Sequence, residues 1–157
     1  MKKAFIVLFI FAILAACLTG CQKRTMSAMD AGSTAALDAV NNLEIYLASV
    51  REKSEAINTS LEQDELTQTD MNLKSQELRT LWEEALNHLL DEAKKILPAA
   101  EMEKLTAEQR TWATDVTAAV DAAGKEVEGG SLYALVTNTK AARMTQERVY
   151  KLFEQLK

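Results

Sequence analysis

Cys21 is the position where residue type and spacing together prescribe a covalent reaction. It closes Leu18-Thr19-Gly20-Cys21, an aliphatic residue and two small ones before a cysteine, which is the form of a bacterial lipobox. In that chemistry the thiol sulfur takes lipid, the chain is cut before the cysteine, and Cys21 becomes the new N-terminus. The upstream residues agree. Lys2 and Lys3 give a positive start, and Ala4 to Ala16 is an unbroken apolar run of thirteen, the two leading parts of a secretory signal. Thirteen helical residues rise about 20 Å, short of the ~30 Å hydrocarbon core, which favours a signal over a permanent span. Cys17 lies on the signal side of the cut and leaves with it. Acyl chains contribute about 0.8 kcal/mol per buried methylene, so lipid on Cys21 is expected to anchor the protein at a membrane surface. Gln22, not Asp, follows the cysteine. That predicts the outer membrane, facing the periplasm, in a two-membrane bacterium and the outer leaflet of the plasma membrane in a one-membrane one.

Other constellations offer less. His88 is the single histidine, with Glu84 and Glu92 four residues to either side, so the three share a helical face. Metal-binding bundles use a Glu-x-x-His spacing that is absent around His88, and a boundary histidine near carboxylates is the simpler reading. No zinc or haem cysteine spacing occurs. No serine sits in a Gly-x-Ser-x-Gly turn, and Gly129-Gly130 follows a helical pattern where a phosphate loop would follow a strand. Methionines at 26, 29, 71, 102 and 144 are too scattered to suggest a copper site. The expectation is a non-enzyme with no cofactor and no metal, its one covalent group being the lipid on Cys21.

The elements that carry these residues are helical throughout. The chain of 157 residues has 5 glycines and a single proline, Pro98, and no useful strand alternation. Residues 1–20 read as signal peptide, 21–28 as a lipidated tether and 29–157 as a helical-bundle domain. Removing the signal takes two lysines and no acid, so 16 of 18 basic side chains remain against 23 acids, a formal charge of −7. Such a surface excludes a nucleic-acid binder, which needs a basic face, and suits a basic partner. With Cys21 the last cysteine, the core must hold without a disulfide.

A first helix is predicted from Met29 to Leu61. Ala36, Val40, Leu43, Leu47, Val50, Ile57 and Leu61 follow steps of three and four, with polar Ser54 in one slot. The acidic run Glu62 to Glu65 reads as a solvated loop. Thr69 or Asp70 is positioned to cap a second helix, whose inward face is Leu78, Leu81, Trp82, Ala85, Leu89, Ala93 and Ile96. Pro98 breaks it and opens a third helix, facing inward with Met102, Leu105, Trp112, Val116, Ala119 and Ala123. Gly124 and Gly129-Gly130 end that helix, and Ser131 caps a fourth on which Leu135, Val149, Phe153 and Leu156 mark a face. Four amphipathic helices with short connections predict an all-α, up-down antiparallel bundle. The alternative is a three-helix core with the first helix packed loosely.

Several stretches, taken in order, resemble the LprI-like domain family, small exported helical proteins named for a lysozyme inhibitor. They are Thr69-Asp70-Met71-Asn72, Leu81-Trp82-Glu83-Glu84-Ala85-Leu86-Asn87, Leu105-Thr106-Ala107-Glu108-Gln109-Arg110-Thr111-Trp112, Glu128-Gly129-Gly130-Ser131 and Thr145-Gln146-Glu147-Arg148. The likeness spans about residues 67–156. Asn72, Trp82, Asn87, Leu105, Gln109, Trp112, Gly130, Thr145 and Arg148 carry it, and physical reasoning reads them as scaffold. The tryptophans are large enough to anchor the bundle centre, each with an indole N–H to satisfy. Gln109 on the face of Leu105 and Trp112 must be hydrogen-bonded if buried, and Arg148 is placed to meet a carboxylate across the bundle. Many relatives carry an Arg-Asp pair just after the second tryptophan and a cysteine pair joining the last two helices. Here Val116 and Thr117, and Val120 and Lys140, stand near those positions. The resemblance implies a binding module acting on a basic wall hydrolase such as lysozyme. Glu62, Asp64, Glu65, Glu126 and Glu128, in two acidic loops, are the expected contacts. The alternative is a lipid-tethered adaptor holding another envelope protein through the stripe on its first helix.

Overall fold

The computed structural model describes residues 26–157, with side chains described at 34 and from 37 onward. The signal segment, Cys21 and the first part of the tether lie outside the described residues. Four helices follow one another: α1 (Met26–Gln63), α2 (Gln68–Ile96), α3 (Ala99–Lys125) and α4 (Tyr133–Leu156). The protein is an all-α bundle, and among the described residues no helix is long and apolar enough to cross a membrane.

Boundaries differ from the sequence expectation where local polar chemistry decided them. α1 begins at Met26 and so takes in the last three residues read as tether. Glu62 and Gln63 complete its final turn. Thr67, not Thr69 or Asp70, caps α2. Its side chain accepts from the Asp70 N–H at 3.2 Å, and the Asp70 carboxylate accepts from the Thr67 N–H at 3.3 Å, a reciprocal box that satisfies two helix-end donors. Pro98 occupies the cap position, and α3 starts one residue later. Gly124 does not end α3; it is buried in the last turn. Ser131 does not cap α4. That helix starts at Tyr133 with no side-chain cap, while the Ser131 carbonyl accepts from Asn72 Nδ2 at 3.3 Å. Of the glycine pair, only Gly129 takes a positive φ, 72°, where a side chain would be strained.

Cross-helix contacts fix direction. Ser54 meets Trp82 and Tyr46 meets His88, so α1 and α2 are antiparallel. Ser75 meets Asn138 and Trp82 meets Tyr150, so α2 and α4 run the same way. Gln109 meets Arg148 and Gly124 meets Tyr133, making α3 antiparallel to α4. The connectivity is therefore up-down. The packing order across the molecule is α1, α2, α4, α3, with α2 and α3 scarcely touching.

The core follows from that order. α1 places Leu43, Leu47, Val50 and Ile57 against α2; α2 and α4 share Leu78, Trp82, Ala85, Leu89, Val149, Leu152 and Phe153. A fully buried Leu or Val contributes about 1.5–3 kcal/mol, so this seam dominates stability. The first helix is not the loose one. α3 is: only Leu105 and Gly124 are buried along its 27 residues, and Met102, Trp112, Val116, Ala119 and Ala123 are half-buried.

Candidate functional site

Two regions of the bundle bring together residues singled out from the sequence on accessible surface. The first is the end where α1 finishes, α2 begins, α3 finishes and α4 begins. The Asn72–Ser131 hydrogen bond ties its two loops together. Glu62, Asp64, Glu65, Asp70, Glu126 and Glu128 are all exposed there, with Lys125 the lone cation across residues 62–70 and 125–131. Six acids against one lysine give this end a formal charge of −5, as large as that of the whole sequence. Leu132 and Tyr133, both 44 % exposed, lie beside them. The two acidic segments, remote in sequence, thus form one face.

The second region is created by the loose seating of α3. Because α3 packs on α4 and leaves α2, a groove of about 510 Å³ opens between α2 and α3 above α4. Leu86, Trp112, Val116 and Val120 form its apolar floor, and Asn87, Gln109, Thr117, Asp121 and Thr145 its polar parts. Arg79 and Glu83 stand at the rim as an i,i+4 ion pair at 2.7 Å. A second groove of about 470 Å³ lies on the other side of Trp112, between α3 and α4.

Four of the residues that carry the family likeness, Asn87, Gln109, Trp112 and Thr145, meet at the first groove. Arg148 stands behind them, its side chain 4 % exposed. Its Nε donates to Gln109 Oε1 at 2.9 Å, and its Nη2 lies 3.6 Å from Glu108 Oε2 without a hydrogen bond. Gln155 Nε2 also reaches Glu108 Oε2, at 3.4 Å. The guanidinium therefore clamps α3 to α4 by one hydrogen bond and one ion pair, the cross-bundle pairing expected of Arg148. Thr145 is buried and donates to the Ala141 carbonyl at 2.9 Å.

The remaining positions separate. Trp82 is in the core, its indole satisfied by Ser54 at 3.1 Å. Trp112 is not a bundle-centre anchor; it is half-buried in the groove floor, and among the described residues no side chain or carbonyl accepts its N–H. Asn72 and Gly130 belong to the acidic end, and Leu105 seats the start of α3. His88 is exposed with its ring 4.3 Å from that of Tyr46, and among the described residues no group of three His, Cys, Asp or Glu could hold a metal ion. Sequence reasoning missed the groove because Trp112 and Val116 have helix-face spacing and read as core, while Val120 stands out only beside the missing cysteine pair. That no helix among the described residues covers that face is a tertiary fact.

A model of the family described as lysozyme inhibitor LprI matches residues 59–152. The match takes in α2, α3, most of α4 and only the last turn of α1. Neither the curated proteins nor the solved structures yield a match.

Proposed function

The chain belongs to the LprI lysozyme-inhibitor family, and from that premise we propose that it is an envelope lipoprotein whose helical domain binds a basic wall hydrolase of the lysozyme type and blocks it. The observation that carries this reading beyond family membership is the concentration of charge. Six exposed carboxylates against one lysine gather at a single end of the bundle, where complementary charge on a basic enzyme would speed encounter and fix orientation. Leu132 and Tyr133 add exposed apolar surface at the same end, the mixture that interface centres use.

The direction of α1 supports the arrangement. Lipid on Cys21 would hold the N-terminal end of α1 at the membrane. Its 38 residues, about 57 Å of helix, run from there to the acidic end. α2 has only 29 residues, and the register of Ser54 with Trp82 puts most of the surplus at the start of α1, as a spacer. The acidic end then faces away from the bilayer. The adaptor reading loses its handle, because the stripe of Leu43, Leu47, Val50 and Ile57 is buried.

Lysis of bacterial walls by a basic lysozyme, with and without the mature chain carrying Cys21→Ser, tests the function. The expected result is inhibition at micromolar protein that weakens as salt rises. An unchanged lysis rate at large molar excess rejects it. Charge reversal at Glu62, Asp64 and Glu65 is expected to slow association, and Cys21→Ser in the full precursor to release the protein from membranes.

A further inference from the structure

We propose that the groove between α2 and α3 is a binding site for a neutral saccharide. The proposal goes beyond the hydrolase reading and does not rest on it, since the groove lies along the flank of the bundle and the acidic end at its tip.

The groove offers three things at once. Its volume, about 510 Å³, is in the ordinary range of ligand sites. Its floor carries an aromatic ring, Trp112, among Leu86, Val116 and Val120, a surface on which the C–H face of a pyranose ring can rest. Around that floor stand planar polar groups whose hydrogen-bonding capacity is unused among the described residues. There Asn87 and Asp121 make no hydrogen bond or ion pair, the Trp112 N–H has no acceptor, and Gln109 uses its Oε1 alone, toward Arg148. An amide offers two donors and an acceptor, a carboxylate only acceptors, an indole one donor. Hydroxyl and amide groups on a sugar meet all three kinds.

Other ligands fit less well. The cation at the rim, Arg79, is neutralised by Glu83 at 2.7 Å, and Asp121 leaves the groove with a net negative charge, which disfavours phosphates and carboxylates. An acyl chain would strip water from Asn87, Gln109 and Asp121 and return no hydrogen bond, at a cost for each group. A partner helix has the same defect, because its backbone groups are already paired along its own axis. A hydroxyl-rich ring covers the apolar floor and keeps the polar groups bonded.

Tryptophan emission reads the site directly, because Trp82 is sealed in the core and Trp112 faces the groove. The mature chain with Cys21→Ser is titrated with chitotriose, a neutral N-acetylated trisaccharide, and with the trimer of galacturonic acid, a carboxylated one. Chitotriose is expected to shift the emission saturably at up to millimolar concentration, and the uronate to bind more weakly. Asn87→Ala and Asp121→Ala, both at exposed positions that leave the helical circular dichroism intact, should each weaken binding about five-fold, the loss of one net hydrogen bond. No shift with chitotriose, equal or tighter binding of the uronate, or unchanged affinity in both variants would each overturn the proposal.

Discussion

The indole N–H of Trp82 donates to Ser54 Oγ across the α1–α2 seam at 3.1 Å, with both residues almost wholly buried. Ser54 occupies an inward slot in the stripe Leu47, Val50, Ile57, where a hydrophobic residue would otherwise stand. The largest buried side chain of α2 thus selects a polar partner on α1 and fixes how the two helices slide past each other.

Ser54→Ala leaves that indole N–H buried and unpaired, so the bundle should lose about 1–3 kcal/mol. Ser54→Val with Trp82→Phe removes donor and acceptor together, and the double variant should lose less than the two single losses added. Urea unfolding of the four proteins measures the coupling. Strict additivity would mean that packing alone, not the hydrogen bond, sets this register.

The clamp at Arg148 is expected to govern α3 specifically. Gln109→Ala removes the acceptor of the buried Nε and leaves the ion pair at 3.6 Å as the guanidinium's one polar cross-helix contact among the described residues. Because α3 buries only Leu105 and Gly124, little else holds its middle. Amide hydrogen exchange across residues 106–120 should accelerate well before that of α2 or α4. Arg148→Met, which leaves no charge to strand, should cost less than Gln109→Ala in chemical denaturation. The reverse order would show that shape and not charge matters at this contact.

Much of the fold was legible in sequence, and the exceptions share a cause. The stripes on α2 and on α1 from Leu43 to Ile57 obey helical periodicity where the two helices pack, and Pro98 and the Gly129 turn mark real breaks. The face of α3 has the same periodicity, yet Trp112, Val116 and Val120 line an open groove. Periodicity reports which residues share a side of a helix; whether another helix covers that side depends on segments remote in sequence. The cap of α2 went wrong for a local reason. Thr67, Thr69 and Asp70 all suit a helix start, and only the reciprocal bonding of Thr67 with Asp70 selects the first. The acidic end was half legible: both loops were visible, and their meeting at one face follows from the up-down path.

Alkaline pH should destabilise the protein through Tyr46. Partial burial, and then the Glu84 carboxylate, push its phenol above the ordinary 10.0. The folded state therefore holds this proton more tightly than the unfolded chain. The stability linked to it is fully present below pH 10.0 and is lost as pH rises through the folded value. Urea midpoints should fall across that interval, and Tyr46→Phe should flatten the fall. Absorbance titration should show a phenol ionising above the ordinary 10.0, and that component should vanish in the variant. An unaltered alkaline slope in Tyr46→Phe would assign the loss elsewhere.

Gly124 supplies the strongest test of how α3 meets α4. A Cβ added there would lie 2.8 Å from Tyr133 Cε2 and 3.0 Å from Thr137 Cγ2. Thr137 is buried, and its hydroxyl donates to the carbonyls of Tyr133 and Ala134, so its methyl has no free rotation to escape. Tyr133 is partly exposed and can swing outward only by giving up its contact with α3. Against this, alanine within a helix is favoured over glycine by about 0.8–1 kcal/mol. The crowding, typically about 1–3 kcal/mol, should outweigh that gain, so Gly124→Ala is expected to destabilise. In a Tyr133→Ala, Thr137→Ser background both obstructing groups are gone. The same substitution should there become neutral or stabilising, reversing sign. Thermal unfolding of the four proteins decides the matter, and a destabilisation that persists in the trimmed background would mean that backbone, not side chain, limits the approach.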